Sequence, residues 1–317
     1  MQLTTNTRAF IEAEQYSGFI LKSLQDGMLS QSFYRSISDF SHGDTLHIKT
    51  VGTVTLQDAA EDTELVYNPI ESGEITFRLT EYVGDAWYVT DDLREDGNQV
   101  DALMAERSIQ STRAFQEKFE TDVLATAAQA YPLSDPYDVN GFAHKIVSAE
   151  TNGTLQLDDI IKLRLAFDKS KAPVMGRILL VDPVANATVS QFITLTSNIT
   201  PFAVEIMTNS ASSDMQFRFN LYGFDIIQSN RLYGTTNASD GTNTITGAVT
   251  YNLAMCLADD QTKPLMAAIR RAPTAEGERN KDKGRDEFVV RSRYGIGVQR
   301  MDTMAAYVTH ATNWKPA

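Results

Sequence analysis

Thirty-two consecutive residues, from Gln99 to Ala130, contain neither proline nor glycine. Such a run reads as one helix of roughly 48 Å at ~1.5 Å per residue, far longer than the average helix of a globular protein. Val100, Leu103 and Met104 begin an apolar stripe, and Phe115, Phe119 and Val123 continue one, so the helix has a face to bury. Asp96 or Asn98 is placed to cap its start, and Asp101 lies in a first turn where the helix dipole favours an acid. Tyr131-Pro132 ends it, because proline disfavours a helical residue before it. The stripe keeps no strict heptad, which argues against a coiled-coil arm. A helix of this length cannot bury itself alone.

The segment before it has the opposite character. Leu46, Ile48, Val51, Val54 and Leu56 look like strand residues, and Ile75-Thr76-Phe77-Arg78-Leu79-Thr80 alternates with period two. Trp87 and Val89 continue the strand character, and a polar, acidic stretch, residues 57–64, lies between the two runs. The reading is an extended hairpin over 44–90 with a polar tip. A hairpin of this kind has little core and is marginal alone, so it needs a partner surface, expected on another subunit. Residues 1–43 are mixed and polar apart from Phe10, Ile11, Tyr16, Phe19, Ile20 and Leu24, which fit a helix or two. They are read as an arm that packs on something else.

The remainder mixes helix and strand. Leu155–Lys169 reads as a helix with Asp158 and Asp159 in its first turn. Arg177–Val181 reads as a short buried strand. Asp182-Pro183 then joins a cap to a proline at the first helical position, opening a helix through about Ile193. Residues 195–250 are rich in Thr, Ser and Asn, with short strands expected at 202–206 and 223–227 and a loop or hairpin tip at 234–247. Val249–Ala258, Phe288–Val298 and Met304–Val308 supply further strand-like runs. No internal repeat is found, and the fold class is α+β.

Charge separates the segments. The chain carries 28 basic and 41 acidic residues, a net charge of −13, whereas nucleic-acid readers usually present a basic surface. Residues 270–293 run against this trend with eight basic and five acidic side chains. They lack the interleaved aromatics of single-strand binders and read as a solvated loop carrying inter-subunit ion pairs. The candidate contacts are Glu61, Asp62 and Glu64 at the hairpin tip against Arg279, Lys281, Lys283, Arg285, Arg291 and Arg293.

Several chemistries lack their signatures. There is no phosphate loop, no G-x-S-x-G elbow and no H-E-x-x-H. The four histidines are His42, His47, His144 and His310; His42 and His47 do not have zinc-ligand spacing. Cys256, the only cysteine, sits in an apolar run and reads as a buried small hydrophobe. Asp91-Asp92, Asp158-Asp159 and Asp259-Asp260 are adjacent pairs whose side chains usually point apart, unlike an acid–base couple. No catalytic, cofactor or metal site is expected. No run of about 18 apolar residues is present, so no membrane span is expected.

In order, the parts are an arm, a projecting hairpin, a long helix and two intertwined α/β regions. Val89-Thr90-Asp91-Asp92 leading into the helix, and residues 119–124 near its end, resemble the spine region of the tailed-phage major capsid protein family, with its Hong Kong 97 type fold. Arg177–Pro183 resembles that family's strand before the A-domain, Leu221–Asn230 its "G-f-x-V-x-x-S" strand and Arg293–Arg300 its C-terminal return. The resemblance spans about residues 44–310. It implies an N-terminal arm (1–43), an E-loop hairpin (44–90), a P-domain with its spine helix (91–176), an A-domain (177–258) and P-domain return strands (259–317). It also implies hexamers and pentamers in an icosahedral head around double-stranded DNA held without sequence specificity. A separate scaffolding protein, a portal, a decoration protein and assembly in the host cytoplasm belong to the same expectation. Some members of the family crosslink a lysine to an asparagine; Lys49 is the only lysine in the hairpin, and the resemblance leaves that step open. The rival readings are an encapsulin-like compartment shell, a β-rich adhesin domain using the Thr/Asn loops and, more remotely, a hydrolase.

Overall fold

The computed structural model describes residues 33–38, 43–52, 56–58, 64, 67, 72–96, 100–131, 135–196 and 217–316. A short strand, β1 (Arg35–Ser36), precedes the antiparallel pair β2 (Thr45–Val51) and β3 (Ser72–Arg78). Next come β4 (Glu81–Thr90), a short helix α1 (Asp91–Asp96) and the long helix α2 (Val100–Gln129). The small pair β5 (Asp138–Val139) and β6 (Phe142–Ala143) leads to β7 (Lys145–Val147), α3 (Leu157–Lys169), β8 (Arg177–Val181) and α4 (Pro183–Thr196). Then follow β9 (Phe217–Leu221), β10 (Phe224–Gln228), β11 (Gly234–Ser239) and β12 (Thr244–Cys256). The chain closes with β13 (Leu265–Asn280), β14 (Arg285–Val298) and β15 (Met304–His310).

Two larger sheets organise these parts. One has the order β7-β15-β12-β8-β10-β9, with β11 paired to β12. Its strand β8 is buried at every position, because both faces of the sheet are covered. Ile178 and Leu180 point into a cluster with Val123, Leu124, Ala127 and Ala128 of α2. Leu179 and Val181 point the other way, onto Ile160, Leu163 and Phe167 of α3 and Ala185 and Val189 of α4. The result is three layers around one sheet. At the start of α4 the Asp182 carboxylate accepts the Val184 N–H at 3.1 Å, as the Asp-Pro pair predicts. Asn252 ties three strands from inside the sheet: it accepts from the Asp182 N–H and donates to Tyr307 O and Thr309 Oγ1.

The second sheet, β1-β13-β14-β4, lies against α2. Phe119 of α2 meets the Tyr294 ring edge-on at 5.0 Å, and the Tyr294 hydroxyl donates to Asp122 at 2.6 Å. Farther along α2, Arg107 and Ser111 both donate to Asp85 of β4. Arg231 joins the two regions by pairing with Glu117 and Glu120 of α2.

Several elements differ from the sequence reading. Glu81–Thr90, read as part of the projecting hairpin, pairs along its whole length with β14. Its exposure alternates along the strand, so one side faces the protein and the other stays wet. Residues 270–293 are not a loop but the hairpin β13–β14. Residues 234–256 form the hairpin β11–β12, turning at Asp240, whose carboxylate accepts the N–H groups of Thr242, Asn243 and Val147. β7 and β15, from outside residues 177–258, complete the larger sheet. Most of the expected N-terminal arm, the Asn98 cap and the strand at 202–206 lie outside the described residues.

Buried tyrosines give the fold a pH limit. Burial, and then the nearby Asp122 or Asp159 carboxylate, holds the Tyr294 and Tyr307 phenols well above the ordinary tyrosine range. The folded chain keeps these protons after the unfolded chain has released them. Their stabilisation is therefore full below about pH 10 and is lost as pH rises above it. The urea midpoint of the unassembled subunit should fall between about pH 10 and 11, and Tyr294→Phe should flatten the slope. A midpoint independent of pH in that window would count against this account.

Candidate functional site

Several groups with catalytic potential among the described residues have structural partners. Asp159, adjacent to exposed Asp158, accepts from the Tyr307 hydroxyl and from Lys162. His144 is fully buried, stacked on Phe167 at 6.2 Å, and burial lowers its imidazole pKa. His47 is exposed and pairs with Glu74. Cys256 is buried and donates weakly to Pro173 O. Among the described residues, no three His, Cys, Asp or Glu side chains converge on a metal position, and no helix is long and apolar enough to cross a membrane.

The surface features are more informative. β2 and β3 pair over seven positions, from Thr45 with Arg78 to Val51 with Ser72, an arm of about 24 Å at ~3.4 Å per residue. The arm is rooted by the Leu79 N–H on Asp44 O at 2.9 Å and by a small cluster of Phe77, Leu79, Met266 and Ala268. Leu46, Ile48 and Ile75 pack against that cluster. Beyond the paired residues, Leu56 is 90% exposed and Tyr67 is 98% exposed. Leu103 and Ile109 on the first half of α2, and Tyr82 and Tyr88 on β4, are also exposed. Apolar side chains exposed singly are common, but Leu56 and Tyr67, both between β2 and β3, are the two most exposed large apolar side chains among the described residues.

The structure divides the nine predicted contact residues. Glu64 is exposed, whereas Glu61 and Asp62 lie outside the described residues. Arg279 is already engaged: its guanidinium meets both Asp91 oxygens at 3.0 and 2.8 Å and Asp286 at 3.2 Å. The Arg279 hydrogen bond holds the Asp91 carboxyl below its usual range. Arg94 also pairs with Asp286, at 2.6 Å. Arg285 bonds Glu287 at 2.7 Å and lies over the Tyr88 ring at 4.4 Å. The ion pairs of Arg279 and Arg94, in a segment expected to pair between subunits, tie the β13–β14 hairpin to α1 of the same chain, and the Arg285 guanidinium ties it to β4. Lys281, Lys283 and Arg291 are exposed. Arg293 is half-buried in a cleft with Arg270 and Arg271. Arg270 and Arg271 both lie within the net-positive segment 270–293. Only the strand register shows that Arg271 faces Arg293.

Residues 73–309 match the model of a family described as phage capsid protein. No curated protein matches the chain in sequence. Among solved structures, the capsid of cyanophage P-SCSP1u superposes with a TM-score of 0.71 at 17% identity, covering 97% of this chain and 94% of that one. The mature capsid of bacteriophage PhiM1 gives a TM-score of 0.69 at 13% identity, with 94% and 91% covered. The SrpI encapsulin complex of Synechococcus elongatus PCC 7942 gives 0.58 at 11% identity, with 99% and 98% covered. At these identities the likeness is one of fold.

Proposed function

Since the chain belongs to the phage capsid protein family, we propose that it builds hexamers and pentamers of an icosahedral tailed-phage head around double-stranded DNA. It is a structural major capsid protein of the virion and not an enzyme. The observation that carries the assembly reading is the β2–β3 arm, whose paired strands run about 24 Å and beyond which Leu56 and Tyr67 stand open to solvent. Laid on a neighbour, such an arm makes a head-to-tail contact, and contacts of that type close into rings. Many weak copies of one contact then add through multivalency. DNA is enclosed without sequence-specific recognition, consistent with a net charge of −13 that repels phosphate. Assembly takes place in the host cytoplasm, with a separate scaffolding protein, a portal and a decoration protein as partners.

Within the shell, the acidic hairpin tip meets a basic surface of the next subunit. Arg279 and Arg285 brace that surface from within, while Lys281, Lys283, Arg291 and Arg293 present charge to the neighbour. Reversing Glu61, Asp62 and Glu64 to lysine should strongly reduce the yield of closed shells, read by electron microscopy of the purified protein. Normal shells from the triple variant would sink this contact.

A compartment shell is the second reading, favoured by the encapsulin likeness over nearly the whole chain. The contents of purified shells separate the two: packaged DNA supports the phage head, and a co-purifying cargo enzyme supports the compartment.

A further inference from the structure

At the foot of the β2–β3 hairpin lies a cleft of about 690 Å³ lined by Leu79, Thr80, Tyr82, Arg270, Arg271 and Arg293. None of these lining residues is acidic. Arg271 stands directly opposite Arg293 on the paired strands, and Arg293 opposite Tyr82 on the other side. Like charges facing each other across a ladder are destabilising. A local rule broken in this way is expected where function uses the residues. Arg270 donates to Gly43 O, and Arg271 pairs with the exposed Glu276. A solvent-exposed pair of that kind is worth little, so Arg271 can exchange it for a better ligand. Arg293 has no ion pair among the described residues.

We propose that this cleft receives carboxylates from the hairpin tip of a second copy, where Asp58 and Glu64 are exposed. The inference rests on the shell function above and narrows one of its contacts to three arginines. Two features favour a second copy as the source. The arm carries a subunit's own tip away from its own cleft over seven paired residues. The chain's 41 acidic residues make neighbouring copies rich in carboxylate, and the planar guanidinium fork matches that group. Duplex DNA fits less well, because its phosphates lie on a broad surface and the hairpin root stands at the edge of the cleft. The tip of one subunit at the foot of the next is a heterologous contact that repeats around a ring.

Charge reversal with rescue tests this. Arg293→Glu should cut the yield of sedimenting shells about tenfold, because the loss recurs at every copy of the contact. The unassembled variant should keep its circular dichroism and urea midpoint. Lys169→Glu, an exposed charge on α3 outside the proposed contact, should leave the yield within about twofold, as expected of solvated charges. Adding Glu64→Arg to Arg293→Glu should restore shells. Normal shells from Arg293→Glu overturn the proposal, as does a folded double variant that stays unassembled. Intact Arg293→Glu shells that hold less DNA would assign the cleft to phosphate and overturn it too. A wild-type chain that forms no shells even when co-expressed with its scaffolding protein overturns the shell function itself, a failure distinct from one confined to the cleft.

Discussion

Gly295→Ala is expected to unseat the projecting hairpin, cost about 3 kcal/mol of subunit stability and abolish closed shells. Gly295 of β14 lies beneath the hairpin root. A Cβ added there would stand 2.4 Å from Arg78 O and 2.9 Å from Leu79 Cα. Both are backbone atoms, so relief requires moving the strand end that carries the whole arm. The nearby Gly297 offers a graded comparison. Its added Cβ would meet the Phe77 ring at 2.8 Å and Met266 Cε at 3.1 Å. The methionine can yield, but Phe77 is only 1% exposed, so Gly297→Ala should cost about 1–2 kcal/mol. Gly84 on β4 is the control, because its nearest atom would be Val290 O at an ordinary 3.5 Å. Gly84→Ala should change stability by less than about 1 kcal/mol. Urea midpoints of the three variants check the order, and the account fails if Gly295→Ala and Gly84→Ala are equally stable.

The second large effect concerns the interior. Arg177→Met should destabilise the subunit by about 3–4 kcal/mol while leaving surface contacts untouched. The Arg177 side chain is almost fully buried at the start of β8. It donates to Asp168 at 2.7 Å and to the carbonyls of Ala172 and Pro173 at 2.8 Å, and lies over the Phe167 ring at 5.6 Å. Methionine keeps much of the volume but leaves two carbonyls without these donors. Burying an acceptor without a partner costs about 1–3 kcal/mol each, partly relieved here because Asp168 remains 43% exposed. A thermal or urea melt within about 1 kcal/mol of wild type would mean that water replaces the guanidinium, against this prediction.

Some elements were legible because local pattern alone decides them. The helix read over 99–130 is observed at Val100–Gln129, since thirty residues without a breaker leave the backbone little alternative. Arg177–Val181 was read at its observed bounds, because five residues buried on both faces need no alternation. Asp182-Pro183 marked the next helix start through a cap that depends on two neighbours only. β4 was recognised as a strand but assigned to the wrong partner, because period two does not say which strand lies alongside.

The contact residues show the same division. The sequence by itself determined where opposite charges are concentrated, which segments are extended and that one helix exceeds what it can cover alone. These properties follow from composition and from periodicity over a few residues. The tertiary structure alone decided which charges remain available. Arg279 meets Asp91 across 188 positions of sequence, and Arg271 meets Arg293 only through a ladder whose register shifts twice. A bulge moves every later pair by one step, and each step turns a side chain to the opposite face. The location of the arginine cleft is therefore a property of strand register, which no local pattern along the chain encodes.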